Sequence, residues 1–183
     1  MKRSEPGRIG AAVPYLVCSS DLLGFKFDPF NPNLLVTASD DTKIKGWVLP
    51  EEGLDGENPV TKADWTLGSP TMDKISLIMF HPRARDVLLS ASMDREDPTI
   101  RLWDLKAQKE RLAIKGHKDA IFSCAFNHQG TKIVSVCRDK KIRVWSAITG
   151  ELLQEGSNHD SLRACRVLWL GESDVVASVG FGR

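Results

Sequence analysis

The sequence predicts an all-β protein built from repeated sheets. Three observations support this prediction. A segment with one order of features recurs along the 183 residues, its strands alternate apolar and polar side chains, and no stretch keeps an apolar period of 3.6 residues. The alternation is plain in IRLWDL and IRVW, where it has the two-residue period of a half-buried strand.

The recurring unit has three complete copies and the beginning of a fourth. In each copy an apolar strand ends in an aromatic residue, a turn follows, and a second apolar run leads through an acidic turn into a strand that carries a tryptophan. The copies are Phe25–Leu49, Leu77–Leu105 and Cys124–Ala147, and the fourth begins at Val167. Three such strands and a more polar outer strand form one blade of a propeller. The candidate outer strands are Thr61–Leu67, Glu110–Lys115 and Glu151–Glu155.

The repeat length indicates a WD40 unit. Trp145 follows Trp103 by 42 residues, within the ~40–45 residues of that unit. The predicted fold class is therefore all-β, a partial WD40 β-propeller of about three and a half blades. We expect residues 1–16 to be the end or outer strand of a preceding blade, 17–70, 71–116 and 117–158 to be blades, and 159–183 to be a truncated blade.

The third unit carries a complete polar set that is typical of WD40 repeats: His117, Ser135, Asp139 and Trp145. We expect Asp139 to accept a hydrogen bond from the imidazole, while the Ser135 hydroxyl bridges the imidazole and the indole N–H. A hydrolase triad of Ser135, His117 and Asp139 is the competing interpretation. It is disfavoured because Ser135 lies within a strand between apolar neighbours.

The other units carry incomplete versions of this set. The first keeps Thr37, Asp41 and Trp47, with Cys18 in place of the histidine. The second keeps Ser90, Asp94 and Trp103, with Arg95–Pro98 lengthening the turn and Thr71 in place of the histidine. The fourth has His159 and Ser178, but Gly182 where the aspartate would lie.

Composition argues against several classes of function. The net charge of +1 does not indicate a nucleic-acid reader. The four cysteines are far apart and without metal-ligand spacing, so we expect reduced thiols, no metal and no cofactor. No apolar stretch approaches the ~20 residues of a membrane-spanning helix, and no signal core follows the basic N-terminus, so we expect a cytoplasmic protein.

Several stretches resemble the propeller of the coronins: FDPFNPNLLVTASDD, KGWVLPEEGL, FHPRARDVLLSAS, VCRDKKIRVW and the terminal ASVGFGR. The run Thr99–Ser123, together with Leu152–Gly156, is most similar to the second propeller of the tandem-propeller coronins of the coronin-seven or pod type. The resemblance spans about Gly7 to Arg183.

This resemblance implies a seven-bladed fold and a non-catalytic scaffold of the actin cytoskeleton. The implied partners are actin filaments or actin-associated proteins, with peripheral association with Golgi and endosomal membranes during trafficking, and with no nucleic acid and no small-molecule substrate.

Partners of a propeller bind to loops on the two rims of the disc. We expect one rim to display six basic residues: Lys43, Arg95, Lys118, Arg138, Lys140 and Lys141. The opposite rim would display Arg83 and Arg85. The competing interpretation is a solvated face with interspersed acids such as Asp40, Asp94 and Asp119, favoured by the near-zero net charge. Trp65 and Trp169 are expected to pack between blades.

Two alternative functional classes are less favoured by the sequence. One is an adaptor of an unrelated complex, such as a substrate receptor of a ubiquitin ligase. A Trp-Asp-x-Arg signal would favour it, but here Trp103 is followed by Asp104-Leu105-Lys106, and Trp145 by Ser146. The other is an enzyme, for which the sequence lacks paired carboxylates in an apolar setting, a phosphate loop and a nucleophile elbow.

Overall fold

The structure, a computed structural model, describes residues 16–54, 60–68 and 74–181. Strands form the regular structure in these ranges, as the alternating pattern predicts. The first sheet contains β1 (Leu22–Phe27), β2 (Leu34–Ser39), β3 (Ile44–Val48) and β4 (Trp65–Leu67). The second contains β5 (Ile75–Phe80), β6 (Val87–Ser92), β7 (Ile100–Asp104) and β8 (Lys109–Ile114). The third contains β9 (Ile121–Phe126), β10 (Lys132–Cys137), β11 (Lys141–Ser146) and β12 (Leu152–Ser157). A two-stranded sheet contains β13 (Arg166–Trp169) and β14 (Val176–Val179).

Each sheet is an antiparallel meander in chain order. The first strands of successive sheets, β1, β5, β9 and β13, contact one another and line the inner side of the array. The sheets are therefore blades arranged around an axis, with the fourth strand of each complete blade on the outside. This arrangement confirms the predicted all-β fold as a partial propeller.

The apolar cores lie between the blades. Successive residues of a strand point to opposite faces of its sheet. Leu88 accordingly packs into the core shared with the first blade, and Leu89 into the core shared with the third. Ile133 and Val134 on β10 divide in the same way between the cores on either side of the third blade. The second strand is buried on both faces, which explains why its sequence is a continuous apolar run rather than an alternating one.

The turns into the third strand are tight in the first and third blades. Thr42 and Lys140 occupy equivalent places in these turns, and both adopt left-handed backbone angles, with φ of 62° and 64°. Such angles are uncommon for residues other than glycine. The preceding aspartate stabilises each turn by accepting the backbone N–H two residues ahead, that of Lys43 or of Lys141, at 3.1 Å.

The first outer strand is shorter than predicted, because β4 begins at Trp65 rather than at Thr61. Val60 instead forms a parallel bridge with Leu16, and its carbonyl accepts the N–H of Val17 at 2.9 Å. Trp65 lies against Gly46 of β3, where a Cβ atom would come within 2.0 Å of the indole ring. This strand pair therefore needs a glycine opposite the tryptophan.

Apolar side chains remain exposed on both flanks of the array. Phe25 and Phe27 on β1 are 58% and 52% exposed, and Val179 and Phe181 at the other end are 69% and 54% exposed. Between these flanks the cores are buried. The described residues contain no helix long and apolar enough to cross a membrane.

Candidate functional site: the buried polar sets and the two rims

The third blade buries a connected chain of polar side chains. The Trp145 indole N–H donates to Ser135 Oγ at 2.8 Å, and His117 Nε2 lies 2.8 Å from the same oxygen. Ser135 is fully buried, at the centre of β10. Its hydroxyl can accept from the indole while donating to the imidazole, so two strands and the loop before β9 are joined through one oxygen.

The expected hydrogen bond between His117 and Asp139 is not formed, which corrects the prediction. His117 Nδ1 makes no hydrogen bond of ordinary geometry to any described residue. Asp139 Oδ2 instead lies 2.7 Å from Arg143 Nη2. The guanidinium is a stronger partner than a neutral imidazole because it carries a permanent charge and a planar fork of donors. Burial raises the pKa of Asp139, but the hydrogen bond and charge of Arg143 outweigh it and hold the pKa below its ordinary value.

His117 is held in its neutral form. Burial and the positive charge of Arg143 lower its pKa to about 4, and the nearby carboxylate of Asp139 and carbonyl of Pro98 offset only part of this effect. A neutral imidazole has one donor and one acceptor nitrogen, which suits a hydrogen bond to the Ser135 hydroxyl. The arrangement is that of a buried structural group. The fully buried Ser135 lacks the access that a hydrolytic nucleophile needs.

The first blade has the same indole contact with a threonine in place of serine. Trp47 Nε1 donates to Thr37 Oγ1 at 3.0 Å. Asp41 accepts from Ser39 Oγ at 2.6 Å and from Lys45 Nζ at 2.5 Å. Burial raises the pKa of Asp41, but these donors and the Lys43 backbone N–H lower it to about 2. Lys45 also donates to Ser19 Oγ at 3.0 Å.

The second blade corrects one predicted residue. Trp103 Nε1 donates to Ser90 Oγ at 2.8 Å, but the turn aspartate is Asp97 rather than Asp94. Asp97 accepts from Thr99 Oγ1 at 2.6 Å and from Arg101 Nη2 at 2.6 Å. Asp94 accepts the backbone N–H of Glu96 at 2.9 Å, near the start of the lengthened turn. Because the turn is longer, the aspartate that lies six residues before Trp103 is Asp97. Asp41 and Asp139 lie at the same distance from their tryptophans, so Asp97 is their equivalent.

Each of these turn aspartates pairs with a cation that was not predicted from the sequence. Lys45, Arg101 and Arg143 each lie four residues after the turn aspartate and two before the tryptophan. Arg101 and Arg143 are almost fully buried and also contact Glu110 and Glu155 on the outer strands. The spacing Asp-x-x-x-Lys/Arg-x-Trp, present in all three units, is the signal that could have identified them.

The fourth unit has a different polar contact. Ser178 Oγ donates to Asn158 Oδ1 at 2.7 Å, and the buried His159 Nε2 has no hydrogen-bond partner among the described residues. Cys18 of the first unit is a partly buried free thiol. Thr71 and Gly182, predicted to replace members of the second and fourth sets, lie outside the described residues.

One edge of the array carries all six predicted basic residues. This upper rim consists of the turns after β2, β6 and β10 and the segments before β5, β9 and β13. Arg95 pairs with Asp119 at 3.2 Å, Lys140 with Asp160 at 2.5 Å, and Lys141 with Glu155 at 3.6 Å. No ion pair formed between described residues involves the other three, which are Lys43, Lys118 and Arg138. The rim is therefore a mixed surface in which half of the candidate cations face acids.

The opposite edge, the lower rim, consists of the turns after β1, β5, β7, β9, β11 and β13. Here Arg83 Nη2 contacts His128 Nε2, which lies 3.1 Å from Glu172 Oε1, so one chain of polar contacts crosses three blades. Arg85 lies over the ring of Phe30 at 5.9 Å from its centroid. Arg83 and Arg85 thus lie on the lower rim, opposite the six basic residues of the upper rim, as expected from the sequence.

The remaining residues singled out from the sequence have packing environments. Trp65 packs against the core between the first two blades, and Trp169 packs between the third and fourth, with its indole N–H donating to the Ala125 carbonyl at 3.1 Å. The cysteines Cys124, Cys137 and Cys165 are buried free thiols, and burial raises the pKa of Cys124 to about 12. In the described ranges no three His, Cys, Asp or Glu side chains gather as metal ligands would.

The blades, the indole-to-hydroxyl bonds and the turn aspartates together define a segment of a WD40 β-propeller. The WD domain, G-beta repeat family matches residues 108–146, which include most of the third blade. In solved structures, the WD40 domain of Toxoplasma gondii coronin superposes on 89% of this chain with a TM-score of 0.80 at 22% identity, and 41% of that domain is covered.

Curated relatives extend the similarity to the whole chain. Coronin-7 of Homo sapiens is 37% identical over 179 residues, covering 97% of this chain and 19% of the relative. Coronin-7 of Mus musculus is 36% identical over 183 residues and is also covered to 19%. The coronin-like protein of Saccharomyces cerevisiae is 34% identical over 98% of this chain and is covered to 28%. The chain is thus a coronin homologue, and it spans about a fifth of the length of the coronin-7 relatives.

Proposed function

We propose that this chain is a coronin-type interaction module that takes part in organising actin filaments and in Golgi and endosomal trafficking, as a non-catalytic scaffold. Within the tandem-propeller type, the proposed place of the segment is the second propeller, with blades at 17–70, 71–116, 117–158 and a partial blade at 159–183. The proposed location is cytoplasmic, on the cytoskeleton and at the surface of Golgi-derived membranes.

The observation that carries this proposal is the similarity to coronins along 97–99% of the chain. The buried polar sets support the scaffold role, because the side chains that could be mistaken for catalytic groups bind one another inside the blades. Because the hydrogen bonds of these polar groups are made inside the blades, we propose the loops of the rims as the surfaces that meet a partner.

The proposed filament contact lies on the upper rim. Two turns of this rim and the segment before β9 carry Lys43, Arg138 and Lys118, none of which forms an ion pair with a described residue. Lys43 and Lys118 are exposed. An acidic filament surface would attract these side chains through screened charge, which acts over about 10 Å at 0.1 M salt. We expect this contact to be weak and to decrease as salt is added.

Co-sedimentation with actin filaments tests the proposal. The chain should pellet with filaments at low ionic strength, and K43E/K118E should reduce the bound fraction several-fold. The matched control is K106E/K109E, which makes the same charge change at two exposed residues of the lower rim and should pellet like the unmodified chain. Failure of the unmodified chain to pellet at low salt, or an equal loss in both variants, would refute filament binding through this rim.

A further inference from the structure

A cleft opens on the lower rim between the second and third blades, with a cavity volume of about 290 Å³. Its walls are mainly apolar and come from both blades: Val87 and Leu112 from the second, and Ile148 from the β11–β12 turn of the third. Ile148 is 74% exposed, so its apolar side chain is accessible at the mouth of the cavity. The volume is close to that of the smallest ligand pockets, ~300 Å³, and suits one or two side chains.

The cleft is held open by a fixed histidine. His81 Nδ1 accepts the backbone N–H groups of Arg83 and Ala84 at 3.1 and 2.8 Å, and His81 Nε2 lies 3.1 Å from the carbonyl of Gly130 on the neighbouring blade. All three contacts are satisfied together by the neutral tautomer that carries its proton on Nε2. Both ring nitrogens are therefore occupied, and the imidazole is a rigid wall between the blades rather than a group free to bind a ligand.

Arg111 is the charged group at this cleft. It is exposed on β8 and no ion pair between described residues involves it, whereas the buried cations of neighbouring strands are paired with acids. Burial lowers the pKa of His81, and the charge of Arg111 lowers it further. Among the residues that line the cleft, Arg111 is the one whose side chain carries a permanent charge. A guanidinium beside an apolar cavity is complementary to a carboxylate beside an apolar side chain.

We propose that this cleft binds an acidic peptide segment of a partner protein, with one leucine-sized side chain between Val87, Leu112 and Ile148 and a neighbouring aspartate or glutamate on Arg111. This site is separate from the proposed filament contact, which lies on the other rim. Because the walls are preformed, binding orders only the peptide, and the apolar anchor supplies affinity while the carboxylate supplies specificity.

The probe is a pair of fluorescein-labelled peptides, Gly-Ser-Glu-Leu-Glu-Ser-Gly and the same sequence with both glutamates replaced by glutamine, titrated with the 183-residue chain and followed by anisotropy. The acidic peptide should bind with a Kd below about 1 mM, and the glutamine peptide at least tenfold more weakly. R111Q should weaken binding of the acidic peptide tenfold or more. I148D should weaken it similarly, because it places a like charge at the apolar wall.

The matched control is K115Q, which removes one exposed positive charge just beyond the other end of β8 and should change the Kd less than twofold. Thermal melts of R111Q, I148D and K115Q should coincide with that of the unmodified chain, since all three side chains are exposed. The proposal is overturned if the acidic peptide does not saturate the chain, if the glutamine peptide binds equally well, or if R111Q and K115Q have the same effect. A negative result for filament pelleting leaves these outcomes unchanged.

Discussion

Arg143 joins the turn aspartate of its blade to the outer strand. Its Nη2 atom lies 2.7 Å from Asp139 Oδ2, and its Nε atom lies 2.8 Å from Glu155 Oε2. Arg101 makes the same pair of contacts in the second blade, to Asp97 at 2.6 Å and to Glu110 at 3.2 Å. In the first blade the short outer strand supplies no such acid, and Lys45 joins Asp41 to Ser19 instead.

The first prediction follows from this cation. Arg143→Ala removes the partner of a nearly buried carboxylate, and we expect the free energy of unfolding to fall by about 3 kcal/mol. Lys140→Ala removes an exposed partner of Asp160 and should cost about 0–1 kcal/mol. Urea midpoints at pH 7 measure both. Equal midpoints for the two variants would show that the Arg143 contacts do not stabilise the blade.

The second prediction separates the two aspartates of the lengthened turn. Asp97→Ala leaves the buried guanidinium of Arg101 with one fewer acid, so we expect a loss of about 2–3 kcal/mol. Asp94→Ala removes a hydrogen bond to the backbone of the turn and should cost about 1 kcal/mol. The test is the difference in urea midpoint between the variants. A larger loss of stability for Asp94→Ala would show that Asp94, the residue expected from the sequence, is the structural aspartate of this turn.

The third prediction concerns the free energy of unfolding at acid pH. The pKa of His117 is about 4 in the folded chain, below the ~6.5 of an unfolded histidine. Between these values the unfolded chain binds more protons, so stability is complete above pH 6.5 and falls as the pH decreases towards 4, by up to about 3 kcal/mol. His81, whose pKa is also lowered, adds a smaller loss of the same sign.

His117→Gln tests the source of this pH dependence. The amide can still contact Ser135 but does not titrate, so the unfolding free energy of the variant should fall much less between pH 6.5 and 4. The lowered carboxyl pKa values of Asp41, Asp97 and Asp139 have their effect below this window, as acid protonates them. An unchanged pH profile in the variant would assign the acid sensitivity to another group.

The fourth prediction compares two glycines with left-handed backbones. Gly130 has φ of 77°, and a Cβ atom there would come within 2.0 Å of the His81 ring. Gly171 has φ of 58° and nothing within 4 Å of the same position. Gly171→Ala should therefore cost only the backbone strain, about 1 kcal/mol, whereas Gly130→Ala should also displace His81 and cost about 3 kcal/mol. Similar melting temperatures for the two variants would contradict the close approach between the blades.

Some side-chain contacts of the candidate site could be predicted from the sequence, and others could not. The tryptophans were predictable as partners of Thr37, Ser90 and Ser135, because the third strand of each blade lies beside the strand that carries the hydroxyl. The two residues are ten positions apart in the first and third units and thirteen apart in the second, where the turn is longer. The partner of Asp139 was not, since His117 and Arg143 both lie within reach of the turn and only their relative positions in space select the guanidinium. Asp94 was misassigned because the inserted residues place two aspartates in the turn. The offset counted from Ser90 selects Asp94, whereas the offset counted back from Trp103 selects Asp97.

The amino-acid sequence by itself determined the repeating four-stranded unit, its all-β class and its likeness to coronins, since these depend on local alternation and on the order of residues along the chain. The tertiary structure decided which charges are paired, which rim holds three cations that make no ion pair with a described residue, and that an apolar cleft with Arg111 lies between the second and third blades. The pairs within one blade, such as Asp139 with Arg143, are four residues apart and have a local spacing, but only the fold shows that the guanidinium rather than an imidazole is the partner. The cleft joins side chains of two blades that are tens of positions apart, and no local pattern encodes the distance between them.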